Sequence, residues 1–281
     1  MQVYRTIAEV RRARAQLTES LGLVPTMGYL HEGHLSLVRA SQRDNPHTAA
    51  WIFVNPTQFN DPKDLAAYPR DEAHDLAMLE EHGVDFVFMP TPEEIYPPDF
   101  QTYITVERLT QGLEGEHRPG HFRGVATVVT KFFNILQPQR AYFGQKDAQQ
   151  CAVIKQLVRD LNLSIEIVVC PTLRESDGLA MSSRNARLSP EERQAATILF
   201  AALSAARDRY QSGERHPDTL RRIMTDTIQT QPLARIDYVS AADADSLAEL
   251  TAPSDHPILL SLAVFIGAVR LIDNLILSPD L

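Results

Sequence analysis

A chain of 281 residues with a formal net charge of -9 is long enough for one large core or two smaller ones. Its acidic average field repels polyanions, which sets nucleic acid aside as the main ligand while leaving room for a local phosphate site. Two cysteines, Cys151 and Cys170, make no disulfide framework and fit a reduced, cytoplasmic setting, and the longest apolar stretch, residues 257–269, is broken by Ser261 and Gly267 short of the ~20 residues that span a bilayer.

The opening segment, MQVYRTIAEVRRARAQL, is Arg-rich like a transit peptide, but Glu9 and Glu19 argue against that, and it reads as a first helix. From residue 21 onward, β-rich runs at 21–25, 49–54, 84–89, 140–143 and 165–169 alternate with helical patterns at 34–43, 70–82, 122–136 and 148–161. That alternation is the mark of βαβ units and predicts a doubly wound α/β domain with a parallel sheet over residues 1–172. After Pro171 the pattern changes. A polar loop, LRESDGLAMSSRN, leads into Ser189-Pro190-Glu191-Glu192, which has a serine cap, proline at the first helical position and acids in the first turn. Helices near 190–211 and 216–229, an exposed turn near 214–218, and strands near 236–239, 258–263 and 268–271 predict a smaller α+β domain over residues 173–281.

Three segments carry chemistry. PTMGYLHEGH at 25–34 lies where the first of these strands ends and a helix begins, the place where open α/β sheets bind ligands and where free N–H groups meet phosphate. His31 and His34 add donors there, and Gly28 and Gly33 permit close backbone approach. An incidental HxxH and a zinc site are the competing readings. The spacing differs from HExxH, and zinc needs further ligands. GQKD at 144–147 repeats the strand-to-helix setting, with Lys146 as a point charge and Asp147 as a cap, although a solvated surface lysine fits the same four residues. MSSRN at 181–185 offers hydroxyls and a guanidinium suited to triphosphate oxygens, and is equally an ordinary turn. No segment supplies an obvious covalent nucleophile, a Walker A loop or a GxGxxG motif, so together the three describe positioning and charge stabilisation in phosphoryl or nucleotidyl transfer.

The HEGH segment at 31–34 with MSSR at 181–184 resembles the paired signatures of HIGH/KMSKS-type nucleotidyltransferases. Within them, PTMGYLHEGH, FVNPTQF (53–59), YPR (68–70), HFRGVATVV (121–129), FGQKDAQQ (143–150) and DGLAMSSRN (177–185) resemble the pantothenate synthetase family over most of residues 20–190, with only general similarity beyond. The resemblance implies a Rossmann-like first domain binding ATP and pantoate, a smaller C-terminal lid, a homodimer and the use of Mg2+. The implied reaction is the ATP-dependent condensation of pantoate with β-alanine through a pantoyl adenylate.

Carried onto this chain, the resemblance places Met27, Gly28, Tyr29, Leu30, His31, Glu32, Gly33 and His34 along the ATP site, with both histidines on phosphates and His34 the favoured proton donor. Gln145 joins that site. Lys146 holds phosphate oxygens, Asp147 orders the nucleotide and its metal, and Gly144 and Leu173 meet the nucleoside through backbone groups. Met181, Ser182, Ser183 and Arg184 close on the triphosphate, so that His31, His34, Lys146 and Arg184 form the catalytic set. Gln58 and Gln150 bind pantoate, and Gln58 also serves β-alanine; an amide suits a hydroxy acid because it both donates and accepts. Arg118 and Arg123 rank below these. Asp71, Glu72 and Asp75 either reach the metal or cap their helix, capping being the safer reading, and no metal ligand is assigned. Two other readings remain at this point: a related enzyme acting on a phosphorylated alcohol or a nucleotide, which should lack the Gln58 and Gln150 pair, and a tRNA-synthetase fragment or non-catalytic nucleotide-binding module.

Overall fold

The computed structural model describes residues 1–278. In chain order its first part contains β1 (Gln2–Tyr4), α1 (Ile7–Ala15), β2 (Leu21–Thr26), α2 (Glu32–Asp44), β3 (His47–Ile52), α3 (Pro62–Ala67), α4 (Glu72–Glu81), β4 (Phe86–Phe88), α5 (Pro92–Ile95), α6 (Glu114–His117), α7 (His121–Leu136), β5 (Arg140–Gly144), α8 (Ala148–Asp160) and β6 (Glu166–Cys170). The second part adds α9 (Pro190–Ala195), α10 (Ile198–Gln211), α11 (Pro217–Gln229), β7 (Ala234–Asp243), β8 (Ile258–Ile266) and β9 (Val269–Leu277). By contacts the chain divides into one unit of Met1–Gln145 with Gln150–Pro171, and a second of Lys146–Gln149 with the chain from Thr172 onward. The short stretch Lys146–Gln149, inside the span expected for the first domain, thus groups with the second unit.

The first unit is the expected α/β fold, a six-stranded parallel sheet in the order β1-β4-β3-β2-β5-β6. Its central strands are apolar on both faces because helices cover both. Leu21, Leu23, Ala49 and Trp51 pack with α7, where the Trp51 and Phe132 rings lie 3.8 Å apart between centroids. The alternate residues Val24, Ala50 and Ile52 pack with Leu37 and Val38 of α2 and Leu79 of α4. The opening segment departs from expectation: it is not one helix. Gln2–Tyr4 pairs in parallel with Phe86–Phe88, and α1 begins only after Thr6. The Thr6 hydroxyl accepts from Glu9 N at 3.3 Å while the Glu9 carboxylate accepts from Thr6 N at 3.0 Å, a capping box that fixes the start. Three residues are too few to display a period of two.

From β2 the chain moves outward through β3 and β4, then returns to the other side of β2 with β5 and β6. The order therefore reverses between β2 and β5, and at such a switch point the carboxyl ends of the two strands leave a crevice for ligands. Thr26 ends β2 and Gly144 ends β5, so the switch point falls at the first two motif segments.

The second unit is α+β, an antiparallel sheet in the order β7-β8-β9 whose core side (Leu260, Leu262, Val264, Leu271) packs with Leu199, Leu203, Leu220 and Met224 of the helices. Helix 190–211 is interrupted: α9 ends at Ala195 and α10 begins at Ile198. The Thr197 hydroxyl donates to Gln194 O at 2.8 Å, a local bond that competes with continuous helix.

Candidate functional site

The turn after β2 is built around backbone that side chains rarely adopt. Gly28 has φ 84° and Tyr29 φ 53°, and the second costs roughly 1–2 kcal/mol for a residue with a Cβ. Asp75 of α4 offsets that cost. Its carboxylate, in a residue only 1% exposed, accepts from Tyr29 N at 2.8 Å and Leu30 N at 2.6 Å. A Cβ on Gly28 would stand 2.9 Å from Asp75 Oδ2, so glycine answers both the positive φ and the close approach. Burial pushes the Asp75 carboxyl above its ordinary value, and the two amides pull against it.

This corrects the reading of the helix acids. Asp71 does cap α4, accepting from His74 N at 3.1 Å, but Asp75 pins the turn instead. The signal lay in spacing: Asp75 and Leu79, four apart, are the buried residues of α4.

His31 and His34 form a capping box made of imidazoles. His31 Nδ1 accepts from Gly33 N at 3.1 Å, His34 Nδ1 accepts from His31 N at 3.3 Å, and the rings lie 4.1 Å apart between centroids. With both Nδ1 atoms serving as acceptors, each neutral ring carries its hydrogen on Nε2. Both side chains sit at the positive end of α2. Glu32, beside them, pairs with Arg39 along the same helix.

Gln58 ends the 3-10 turn Pro56–Gln58 and is tied to the histidine turn through Nε2, which approaches Met27 Sδ at 2.9 Å. Its amide has a defined orientation. Asn55, buried beneath it, donates from Nδ2 to Gly124 O (3.2 Å) and to Gln58 Oε1 (3.1 Å), while its Oδ1 accepts from Thr57 N (3.3 Å) and the Tyr96 hydroxyl (2.9 Å). Gly124 O can only accept and Thr57 N can only donate, so Asn55 cannot turn over. Gln58 must therefore offer its NH2 group away from Asn55. Burial pushes the Tyr96 hydroxyl up to about 12, which keeps it a donor at neutral pH. His121 Nδ1 donates to Gln58 O at 2.8 Å and holds the main chain.

Sequence reasoning misses Asn55, Tyr96 and His121, although Asn55 and His121 lie inside the quoted motifs. Arg118 lies 3.7 Å from the Glu114 carboxylate and reaches Gln58 O at 3.4 Å, and the Arg123 guanidinium stacks on the Tyr103 ring at 3.9 Å.

Gly124 explains the glycine of HFRGVATVV. A Cβ there would meet Thr57 O at 2.5 Å and Gln58 N at 2.8 Å, both backbone atoms. Gly124→Ala is expected to destabilise the protein by about 1–3 kcal/mol through this overlap, outweighing the ~1 kcal/mol that alanine gains in a helix. Urea unfolding of the two proteins checks the sign, and a more stable variant would refute the packing argument.

Gly144 closes β5, with the Cys151 thiol on its carbonyl at 3.4 Å, and Gln150 is half-buried on α8. Gln145–Asp147 forms a 3-10 turn that runs directly into α8, with Asp147 immediately before the first residue of that helix. In the second unit, Lys146 Nζ lies 3.7 Å from Asp147 Oδ1, with the lysine side chain 18% exposed. Leu173 and Met181 are brought together by Met181 N donating to Leu173 O at 3.0 Å, next to a bridge between Arg174 and Ala180. The Ser182 hydroxyl accepts from Arg184 N at 3.3 Å and caps the 3-10 helix Ser183–Arg187, in which Ser183 is buried. Among the described residues no group of three or more His, Cys, Asp or Glu side chains gathers to hold a metal, and no helix is long and apolar enough to cross a membrane.

The family model described as Pantoate-beta-alanine ligase matches residues 2–276, which carries the similarity well past residue 190, where the motifs thin out. A pantothenate synthetase from Roseiflexus sp. (strain RS-1) is 60% identical over 278 residues, covering 99% of this chain and 100% of the relative. One from Herpetosiphon aurantiacus is 57% identical over 277 residues, covering 99% and 100%. Among solved structures, a pantoate-beta-alanine ligase (pantothenate synthetase) from Thermus thermophilus matches with a TM-score of 0.94 and 45% identity over 99% of this chain and 100% of that one. The Francisella tularensis pantoate-beta-alanine ligase, solved as a complex with beta-gamma ATP and beta-alanine, matches with a TM-score of 0.80 and 34% identity over 98% and 97%. Matched by the family model over residues 2–276 and similar to these proteins over nearly its whole length, the chain belongs to the pantoate-β-alanine ligase family.

Proposed function

We propose that this protein condenses pantoate with β-alanine using ATP, through a pantoyl adenylate, releasing pyrophosphate and then AMP. The observation that carries this reading is the histidine-capped turn at the switch point, with the Gln58 amide presented beside it, in a chain similar to the family over residues 2–276. The Francisella relative was solved with beta-gamma ATP and beta-alanine, and the same ligand classes are assigned here.

The chemistry follows from charge. A carboxylic acid with a pKa of roughly 4 is ionised at neutral pH, so pantoate attacks the α-phosphorus without a general base. What the step needs is in-line alignment and relief of repulsion between anions. The Nε2–H groups of His31 and His34 and the positive end of α2 supply donors to phosphoryl oxygens. Lys146 and Arg184 supply full charges, and Ser182 and Ser183 supply hydroxyl donors. The backbone of Met27, Gly28, Tyr29, Leu30 and Gly33 lets the nucleotide approach the turn closely, while Glu32 and Gln145 border it. Gly144, Leu173 and Met181 are assigned to the nucleoside end. Gln58 donates to the pantoate carboxylate or hydroxyl, aided by Gln150, and Gln58 also meets β-alanine. In the second step the amine of β-alanine attacks the acyl carbon, the C–N bond forms, the bond to AMP breaks, and the amine gives up its proton.

A Mg2+ ion would be held mainly by triphosphate oxygens and water, with the half-exposed Asp147 as the carboxylate that would join them. When bound, it neutralises charge on the pyrophosphate. A cytoplasmic location is supported by two free, buried cysteines, and a homodimer by the family resemblance alone.

ATP with a panel of hydroxy acids tests the reading, scored first for pyrophosphate release and then for AMP formation dependent on β-alanine. Pantoate is expected to stand out from the panel. Release indifferent to pantoate would sink the assignment.

A further inference from the structure

β9 is an edge strand, and consecutive strand residues project to opposite faces of a sheet. Asp273 pairs in register with Leu262 of the core face, and Asn274 with Ser261 of the other face. Each holds a segment that carries anion-binding chemistry. On the core face, Arg174 forks onto the buried Asp273 carboxylate, NH1 to Oδ2 at 2.6 Å and NH2 to Oδ1 at 2.9 Å, and NH1 also donates to Gly178 O at 3.1 Å. That fixes the base of the loop leading to Met181, Ser182, Ser183 and Arg184. On the other face the Asn274 side chain, in a residue 4% exposed, donates from Nδ2 to Lys146 O at 2.8 Å. Between them, Asn274 N donates to Asp273 Oδ1 at 2.8 Å, which adds a further donor to that carboxylate. Burial pushes the Asp273 carboxyl up against the pull of Arg174, and the Lys146 charge pulls the same way as Arg174.

We propose that Asn274 is a positioning residue for Lys146, its side-chain amide fixing the root of the lysine so that the ammonium meets the phosphoryl oxygens during adenylation. The inference rests on the functional reading above and adds to it a residue 128 positions away in the chain. A lysine is a point charge on a flexible stem, and its value in a transition state depends on where the stem is rooted. The 3-10 turn that carries Lys146 precedes α8, and the Lys146 carbonyl is the atom that Asn274 holds. The donor from β9 supplies this constraint, and the same strand, one residue earlier, anchors the 181–184 loop.

Pyrophosphate release with ATP and pantoate is compared for the unsubstituted protein, Asn274→Ala, Lys146→Ala and the double variant. Asn274→Ala is expected to lower kcat about 10–100-fold with the KM for ATP changed less than about threefold, because the lost interaction belongs to the transition state. In the Lys146→Ala background the same change should cost less than about twofold, since a residue acting through the lysine has nothing left to position. Asn274→Gln keeps the donor on a longer arm and is expected to give a smaller loss, again absent without the lysine; it serves where the alanine variant does not fold. An equal fold-loss in both backgrounds, or full activity of both Asn274 variants, overturns the proposal. An unsubstituted protein inactive with pantoate overturns the functional reading and this inference with it, so the two failures are distinguishable.

Discussion

Lys146→Ala is expected to lower pantoate-dependent pyrophosphate release by about 10²–10³-fold while leaving the protein folded. The ammonium is the full positive charge on the segment that leaves β5, and in a water-poor site a charge placed where negative charge develops is worth far more than in solution. Structurally the side chain holds little together. Its ammonium pairs with the half-exposed Asp147 at 3.7 Å, and a pair of that kind contributes ~0–1 kcal/mol. The variant should therefore melt close to the unsubstituted protein and bind ATP more weakly, with most of the loss in kcat. Undiminished pyrophosphate release would remove the lysine from the mechanism, and a collapsed melting transition would show a structural role instead.

Asp75→Asn is expected to produce the second largest effect, a loss of about 10–100-fold in adenylation from a residue that is given no contact with substrate. An asparagine offers one carbonyl where the carboxylate offers two oxygens, so its NH2 group must face either Tyr29 N–H or Leu30 N–H. The turn then relaxes from its positive φ at Tyr29, and the backbone proposed to meet the nucleotide shifts.

The effect on stability is expected to be small. Because the folded-state pKa of Asp75 is raised above the ordinary 3.8, the folded protein holds that proton more tightly than the unfolded chain does. Stability from this group is therefore lost as pH rises through the window between 3.8 and the raised value, because burial makes the charged carboxylate costly. Asn relieves that desolvation, so thermal stability should change little while activity falls. Protonation of Asp75 within the same window should also give the unsubstituted enzyme an acid limb above 3.8 that the variant lacks. A pH profile of pyrophosphate release together with melting curves checks both, and an unchanged profile in the variant would detach Asp75 from the turn.

The parts of the fold that were legible share one physical property: their signal is local. β2 to β6 are apolar or β-branched runs broken by turns, α7 carries its apolar face across its whole length, and Ser189 with Glu192 announces α9 by a capping box that the structure contains. β1 escaped because its partner is β4, more than eighty residues away, and three residues leave no periodicity. The break between α9 and α10 coincides with a local bond from the Thr197 hydroxyl, which no periodicity announces.

The site divides along the same line. His31, His34, Gln58 and Lys146 sit in contiguous motifs. Asp75 reaches Tyr29 across 46 positions, Tyr96 reaches Asn55 across 41, and His121 reaches Gln58 across 63. What those partners do depends on packing, which spacing does not encode.

The placement of Lys146–Gln149 sets a limit on modularity. These four residues are translated in the middle of the first unit, and the hydrogen-bond partner of Lys146 is translated near the far end of the chain. A cut in the connection near Thr172 would leave the lysine on one fragment and Asn274 on the other. A recombination event that exchanged everything after that point would hand the lysine a foreign strand to lean on. The Asn274 side chain meets the backbone of position 146, so an exchange that replaced Asn274 would remove this donor whatever residue stood at 146.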